Sequence, residues 1–220
     1  MSQQADRLRR EELAFFGRVG AGVTHDMRNV LSIVGEYAGL LEDLAALAER
    51  GKPVDLERLK KVSGSIARQV KKGTETMERF SRFAHATDEE TASFDLAGLV
   101  ENTAALAQRR AAQAGCRLQV ELPEKPVSVR NNPFSLQRAV YGAVDLILDC
   151  PEKDEEVTLE VASQGAAAEI RVSGRVAGGE ADGQWADQVA GLSATLADLG
   201  GSLETSVMGE TVLLVLSIPS

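Results

Sequence analysis

Apolar and small residues recur in alternating steps of four and three along two stretches of the first ninety residues. This spacing predicts two long helices, each with a seam of a and d positions that faces a partner. Gly51-Lys52-Pro53 between the stretches favours a turn, and Asp55 is a good N-cap for the second helix. We therefore expect an antiparallel helical hairpin, and two hairpins in a homodimer would form a four-helix bundle. The first seam comprises Phe16, Gly20, Val23, Met27, Val30, Val34, Tyr37, Leu41, Leu44 and Ala48, and the second comprises Leu59, Val62, Ile66, Val70, Gly73, Met77, Phe80 and Ala84.

The pattern changes after the polar stretch Thr87–Thr91, which predicts a linker between a first domain, residues 1–90, and a second, residues 91–220. Helical and strand patterns are mixed in the second domain. Their order predicts an α/β sandwich with helices on one face of a mostly antiparallel sheet, so the whole chain is of the α+β class. The predicted helices are 95–113, 135–149 and 185–199, and the predicted strands are 117–122, 157–162, 169–173, 202–207 and 211–218.

The chain is acidic, with a formal net charge of -9 over 220 residues. Phosphate backbones and anionic lipids repel such a chain, so we expect no nucleic acid and no membrane among its partners. No apolar run approaches the roughly 18 residues of a membrane span, and the polar first ten residues do not resemble a signal peptide, which favours a cytoplasmic protein. Cys116 and Cys150 show neither pairing nor metal-ligand spacing, so we expect two reduced thiols and no metal site.

His25 has the most informative neighbours of any residue in the first helix. With Met27 at an a position and Val30 at d, His25 falls on f, the position that faces away from the seam. Asp26 can fix the tautomer of the imidazole and raise its nucleophilicity, and Asn29 lies one turn further along the same face. An incidental surface histidine is the alternative interpretation. The candidate partner-docking residues around it are Arg28, Gly22, Ala21 and Ser32.

Glycine is unusually dense in the turns before His25. Gly17, Gly20 and Gly22 each cost about 1 kcal/mol in a helix interior relative to Ala. Close approach of another protein's backbone to the imidazole would explain them. His85, the other histidine, lies near the end of the second helix, lacks an adjacent acid, and is interpreted as an ordinary surface residue.

The segment from Gly17 to Leu41 resembles the helix of histidine kinases that carries the phosphorylated histidine. In that family, Glu or Asp follows the His directly, Asn or Thr follows four residues after it, and Pro-Leu usually comes next. Val30 stands where Pro is common, and the matching residues are His25, Asp26, Asn29 and Leu31. The resemblance implies a dimerization and phosphotransfer hairpin followed by an ATPase-type α/β sandwich, and it covers the whole chain.

The residues that handle ATP in the histidine kinases are missing from this chain. The resemblance aligns Gly142 and Leu146 with the two positions where an Asn holds Mg²⁺, and Gly174 with the Asp that reads adenine. Without that acceptor the exocyclic amine of adenine is left unrecognised. Gly178-Gly179 is a weak remnant of the family's Gly-rich lid. We therefore expect a degenerate ATP site and no cofactor, although two carboxylates on the same predicted helix could be substitute metal ligands, Asp145 and Asp149.

Within the kinase-like proteins, the chain is similar to histidine phosphotransferases of the ChpT type. The resemblance implies that His25 takes a phosphoryl group from a receiver domain of a hybrid histidine kinase and passes it to the receiver domain of a response regulator. The receiver would supply the Mg²⁺. Two alternatives stay open: a divergent but active histidine kinase, and a non-enzymatic scaffold or regulator of kinases. ATP-dependent autophosphorylation would favour the first, and a relay that survives loss of His25 would favour the second.

Overall fold

The protein forms two compact units, one of Phe16–Ser81 and one of Met1–Phe15 together with Arg82–Ser220. Helix α1 spans Gln3–Glu49 and helix α2 spans Leu56–His85, so each long helix contributes residues to both units. The structure, a computed structural model, describes residues 3–149, 152, 154–165, 167–176 and 183–219.

The turn between α1 and α2 has the predicted chemistry. Gly51 adopts a left-handed φ of 71°, and the N–H of Lys52 donates to the carbonyl of Leu47 at 3.1 Å, which ends α1. Asp55 Oδ1 accepts from the backbone N–H groups two and three residues later, at 3.0 and 3.2 Å. It therefore caps α2 as its sequence position predicts.

The seams of α1 and α2 are partly buried within the single chain. Val23, Val30 and Val62 are all buried. A Cβ added to Gly73 would lie 3.2 Å from Val30 Cγ1 and 3.3 Å from Met27 Cε, so the missing side chain lets the two helices approach closely. One chain therefore already covers Val23 and Val30, two residues of the seam predicted to face a partner. Along α2, by contrast, Leu59, Val70 and Met77 stay 37%, 53% and 47% exposed.

The unit that contains residues 82–220 is a layer of helices on a sheet. Its described elements are β1 (Ala92–Asp95), α3 (Leu96–Ala114), β2 (Arg117–Glu121), β3 (Ser128–Asn131), α4 (Pro133–Asp149), β4 (Glu156–Gln164), β5 (Ala167–Arg175), α5 (Gly183–Asp198), β6 (Ser202–Met208) and β7 (Thr211–Pro219). Strand β1 pairs antiparallel with β3. The larger sheet has the order β2-β4-β5-β7-β6, with β2 parallel to β4 and the other pairs antiparallel. The predicted helical region followed by an α/β sandwich is confirmed.

Helices α3, α4 and α5 cover one face of the larger sheet. Alternate residues of β5 and β7 point into this core and are buried, as period-2 strands require. The sequence pattern does not predict β1 and β3. Strand β3 buries the polar Asn131, whose side-chain amide donates to the carbonyl of Leu199 at 2.9 Å. Its sequence therefore lacks the alternation of apolar and polar residues that would predict a strand.

Four aromatic side chains form a cluster in this same unit. The ring centroid of Phe15 lies 5.4 Å from those of Phe83 and Tyr141 and 5.6 Å from that of Phe134. Phe15 and Phe83 are almost completely buried. Because Phe15 belongs to α1, Phe83 to α2 and the other two to α4, the cluster packs these parts of the long helices onto the sandwich.

Candidate functional site

The imidazole of His25 lies open to solvent on α1, with 45% of its side chain exposed. Asn29, four residues on, donates from Nδ2 to His25 Nδ1 at 3.2 Å. Asp26 Oδ1 lies 3.7 Å from the same ring nitrogen. The three residues predicted to act together are therefore neighbours, and both contacts involve Nδ1 and not Nε2.

This arrangement allows the ring to act as a nucleophile through Nε2. A nucleophilic Nε2 needs a free lone pair, so the proton of the neutral ring must sit on Nδ1. A 180° flip of the Asn29 amide places Oδ1 where Nδ2 now lies. Either this oxygen or the Asp26 carboxylate can then accept a hydrogen bond from the Nδ1 proton. The carboxylate also stabilises the positive charge that the ring gains when Nε2 forms a bond.

Small and polar residues surround His25 on the surface of α1. A Cβ added at Gly22 would meet no atom within 4 Å, so the space beside the helix is open there. Gly20 differs, because its added Cβ would lie 3.8 Å from the Phe80 ring of α2. Gly20 therefore serves the packing of the hairpin, and only the other glycines leave room for a partner. The remaining predicted docking residues are also exposed, namely Ala21, Arg28 and Ser32.

His85 has an acidic neighbour, contrary to its interpretation from the sequence. Its Nδ1 lies 2.8 Å from Asp88 Oδ2, and the imidazole is 72% exposed. The chain leaves α2 in a turn here, with the N–H of Asp88 donating to the carbonyl of His85 at 3.1 Å, which brings a residue three positions away beside the ring. A carboxylate alone therefore does not distinguish the two histidines. Their wider surroundings do: Glu89 and Glu90 follow His85, whereas Arg28 and Asn29 follow His25.

Core side chains pack at the three positions that align with the ATP-binding residues of the histidine kinases. Leu146 is buried in the core. A Cβ added at Gly142 would lie 3.8 Å from Leu192 Cδ1 of α5. A Cβ added at Gly174 would lie 2.8 Å from Ile147 Cγ2 and 3.2 Å from a methyl group of Val157, so no aspartate fits there unless the core moves.

The two carboxylates considered as substitute metal ligands are already bound to an arginine. Arg110 of α3 donates from Nε to Asp145 Oδ1 at 2.9 Å and from Nη2 to Asp149 Oδ1 at 2.6 Å. The same Nη2 lies 3.1 Å from the carbonyl of Leu148, and Gln188 of α5 donates to Asp149 Oδ2 at 2.9 Å. These bonds join α3, α4 and α5, and the guanidinium supplies the positive charge that a metal would otherwise bring.

Carboxylates also dominate the surroundings of Gly174. Arg175 pairs with Glu155 at 3.0 Å, with Glu152 at 3.2 Å and with Glu210. The hydrogen bond to Glu210, followed by the charge of Glu152, raises the pKa of Arg175. One cation among three glutamates is a poor environment for a triphosphate. Mg-ATP therefore does not fit the described residues of this region, and the possible lid remnant Gly178-Gly179 lies outside them.

The part of the chain that the structure describes contains no cluster of three or more His, Cys, Asp or Glu side chains able to hold a metal ion. Cys116 is a free, buried thiol, and burial, followed by the charges of Glu155 and Asp154, raises its pKa. Cys150 lies outside the described residues. Among the helices described, none is both long and apolar enough to cross a bilayer.

Sequence reasoning does not identify Arg110. It lies 35 residues before Asp145, and nothing in its own helix sets it apart from Arg109. The carboxylates give the available signal, because two acids one turn apart on a largely apolar helix need a cation nearby.

No protein-family model matches the chain. A curated relative, the C4-dicarboxylate transport sensor protein DctB of Rhizobium meliloti, is 22% identical over 170 residues. The match covers 77% of this chain and 26% of DctB, so the chain spans about a quarter of the length of the curated relative it matches.

Solved structures of histidine kinases share the fold. Histidine kinase AdeS of Acinetobacter baumannii has a TM-score of 0.51 at 14% identity, covering 89% of this chain and 97% of AdeS. The catalytic domain of histidine kinase ThkA has a TM-score of 0.52 at 11% identity, covering 60% of this chain and 98% of that domain. ThkA in complex with the response regulator protein TrrA has a TM-score of 0.50 at 16% identity, covering 98% of this chain and 65% of ThkA. The chain therefore has a histidine kinase-like fold, a helical N-terminal region followed by an α/β sandwich of the ATPase-domain type.

Proposed function

We propose that this chain is a histidine phosphotransferase of a two-component phosphorelay, in which His25 carries a phosphoryl group between receiver-domain aspartates. The observation that carries the proposal is the open imidazole of His25, with Asn29 and Asp26 both at Nδ1, on the first helix of a histidine kinase-like fold. An exposed nucleophile with a carboxylate partner is the minimum that phosphoryl transfer needs, since positioning and charge compensation supply most of the catalysis.

The transfer is a reversible exchange of one bond for another. Nε2 of His25 attacks the phosphorus of an aspartyl phosphate, the N–P bond forms, and the P–O bond breaks so that the aspartate leaves as a carboxylate. The ring then holds the phosphoryl group on Nε2 and its proton on Nδ1, where Asp26 offsets the positive charge. Attack by the aspartate of a second receiver reverses these events. The receiver domain supplies Mg²⁺, so the phosphotransferase itself needs no cofactor.

We favour transfer over ATP-dependent autophosphorylation because the residues described in the α/β unit do not fit Mg-ATP. Gly174 has core methyl groups where a side chain would be, and Arg110 holds Asp145 and Asp149. The partner assignment is supported by ThkA, whose structure includes a response regulator protein. The donor would be the receiver domain of a hybrid histidine kinase, and the acceptor would be a response regulator.

His25 is favoured over His85 by charge. An aspartyl phosphate approaches as an anion, and His85 is followed by Asp88, Glu89 and Glu90 at the C-terminal end of α2, where the helix dipole is also negative. His25 is followed by Arg28, which attracts an anion, and it lies well inside α1.

The central test is to incubate the wild-type chain, His25→Ala and His85→Ala with a receiver domain that carries labelled phosphate. We expect acid-labile, base-stable labelling of the wild type and of His85→Ala, and none of His25→Ala. Truncation of an exposed side chain should change the free energy of unfolding by at most about 0.5 kcal/mol, so loss of fold is not a competing explanation. Labelling of His25→Ala at the wild-type rate would contradict the proposal, and labelling from Mg-ATP alone would identify an active kinase.

A homodimer through the hairpins is part of the proposal. The exposed Leu59, Val70 and Met77 give α2 an apolar seam that a second copy would cover. We expect sedimentation equilibrium to give a dimer at micromolar concentration and Val70→Glu to shift it toward monomer. Lys71→Glu, one residue away on an exposed position, should leave the dimer unchanged. A wild-type chain that sediments as a monomer would refute this part.

A further inference from the structure

Helix α2 is basic in an otherwise acidic protein. Residues 16–81 contain eleven Lys and Arg against nine Asp and Glu, a net charge of +2. The rest of the chain contains thirteen against twenty-four, a net charge of -11. The sequence has no acidic residue between Glu57 and Glu75, and all six basic residues of that interval are exposed, namely Arg58, Lys60, Lys61, Arg68, Lys71 and Lys72.

Four basic residues of α2 lie 7, 4 and 7 positions apart, on one side of the helix, and form what we term the basic stripe: Lys61, Arg68, Lys72 and Arg79. Each member lies two positions after a residue of the α2 seam, namely Leu59, Ile66, Val70 and Met77. Two positions along an α-helix are about 200° apart, so the stripe and the seam lie on opposite flanks of α2. The basic stripe therefore stays accessible when a second copy covers the seam.

The C-terminal half of the stripe, Lys72 and Arg79, lies level with His25 along the hairpin. Lys72 precedes Gly73, whose added Cβ would touch side chains of Met27 and Val30, just beyond His25 on α1. Arg79 precedes Phe80, whose ring lies against Gly20, just before His25. These contacts place two members of the stripe beside the stretch of α1 that brackets the imidazole.

Two cations of the stripe have no counter-charge. The ammonium groups of Lys61 and Lys72 have no hydrogen-bond or ion-pair partner in the described part of the chain. Their immediate neighbours differ, since Lys60 pairs with Glu57 at 2.9 Å and Lys71 lies 3.9 Å from Glu75. Two cations without a counter-charge of their own attract an external anionic surface.

We infer that the basic stripe is a docking surface for an acidic face of the partner receiver domain, which it steers toward His25. This inference rests on the proposed function and names the chemistry of its partner. A receiver domain that holds Mg²⁺ beside its phosphorylated aspartate needs carboxylate ligands there, and such an acidic face is complementary to a short row of cations beside an imidazole. A long polyanion such as DNA, or an anionic bilayer, would also meet the net charge of -11 on the rest of the chain and be repelled.

The chain offers a matched pair of variants to test the stripe. Lys61→Glu with Lys72→Glu reverses two stripe charges, and Lys60→Glu with Lys71→Glu reverses their immediate neighbours on a different face. Both change the net charge equally. The measurement is the second-order rate of phosphoryl transfer from a labelled receiver domain that phosphorylates the wild type, at low and high NaCl.

We expect the stripe variant to transfer at least tenfold more slowly at low salt, because steering by opposite charges raises association rates by about 10- to 1,000-fold. High salt should slow the wild type toward the variant, since screening removes the attraction. The neighbour variant should stay within about threefold of the wild type, as local steering depends on where the charges lie. Equal slowing of both variants, or no slowing of the stripe variant, would overturn the inference.

Binding measurements separate this inference from the proposed function. The His25→Ala chain should bind the unphosphorylated receiver domain as the wild type does, and the stripe changes should weaken that binding in either background. If no receiver domain labels His25 but binding still depends on Lys61 and Lys72, the phosphotransfer proposal fails and the docking surface stands. Binding of a 20-base-pair DNA duplex or of phosphatidylserine vesicles through these two lysines would overturn the assignment to a protein partner.

Discussion

Glycine has opposite surroundings on the helix face around His25 and in the interior around Gly174. At Gly22, one turn before His25, the space beside the helix is empty within 4 Å. At Gly174, the methyl groups of Ile147 and Val157 already fill the space that a side chain would take. The helix face at Gly22 has room for a partner, and the interior at Gly174 is filled by core side chains.

The comparison shows how packing inside the chain can stabilise a fold on its own. Burial of Leu146 and Ile147 stabilises the sandwich whether or not a ligand binds. Arg110 likewise neutralises Asp145 and Asp149 with a cation from the chain itself. The imidazole of His25, by contrast, stays exposed to solvent on α1.

The largest effect should come from Gly174→Asp, which introduces at this position the residue type that reads adenine in the histidine kinases. Overpacking costs about 1 to 3 kcal/mol, and a buried carboxylate without a partner adds about as much again. We expect denaturant unfolding to show a loss of about 3 kcal/mol or more, and calorimetry to show no gain of Mg-ATP binding. Gly191→Asp, on an exposed part of α5, is the matched control and should change stability by less than about 1 kcal/mol. Tight ATP binding by Gly174→Asp would mean that the site is latent and not closed.

Gly→Ala substitutions at the two positions sharpen the contrast, because the same added methyl group should change stability with opposite sign. Gly22→Ala should stabilise by about 0.5 to 1 kcal/mol through helix propensity. Gly174→Ala should destabilise by about 1 to 3 kcal/mol, because its Cβ would lie 2.8 Å from Ile147 Cγ2. Urea midpoints of the two variants measure this directly, and a shift in the same direction for both would break the comparison.

The smallest effects should come from the neighbours of the nucleophile. Asn29→Ala and Asp26→Ala each remove one group at His25 Nδ1 and should slow phosphoryl transfer by about 3- to 10-fold, as expected for about 1 kcal/mol per interaction. Asp26→Asn should slow it less than Asp26→Ala, because the amide oxygen can still accept the Nδ1 proton. Single-turnover rates at saturating receiver domain report this step separately from docking. An Asp26→Ala rate equal to that of the wild type would remove Asp26 from the mechanism.

Features set by local chemistry could be predicted from the sequence. The heptad spacing predicts both long helices, Gly51 and Asp55 predict the turn between them, and the exposure of His25 follows from its f position. Long-range contacts could not be predicted. Nothing near Arg110 in the sequence points to Asp145 and Asp149, and the heptad pattern does not say that one hairpin buries Val23 and Val30 unaided. The acid beside His85 comes from a turn whose course depends on the end of α2.

The aromatic cluster has a consequence for the order of folding. Phe15 and Phe83 are separated in sequence by the whole hairpin, yet their rings pack together on helix α4. In an unfolded chain, bringing such distant residues together costs an entropy that grows with the logarithm of the loop length. When α1 and α2 pair from the turn at residues 50–55, the two rings become neighbours. Packing them together then requires little further loss of entropy. We therefore expect the pairing of α1 and α2 to lower the entropic cost of packing residues 3–15 into a unit whose first strand begins at Ala92.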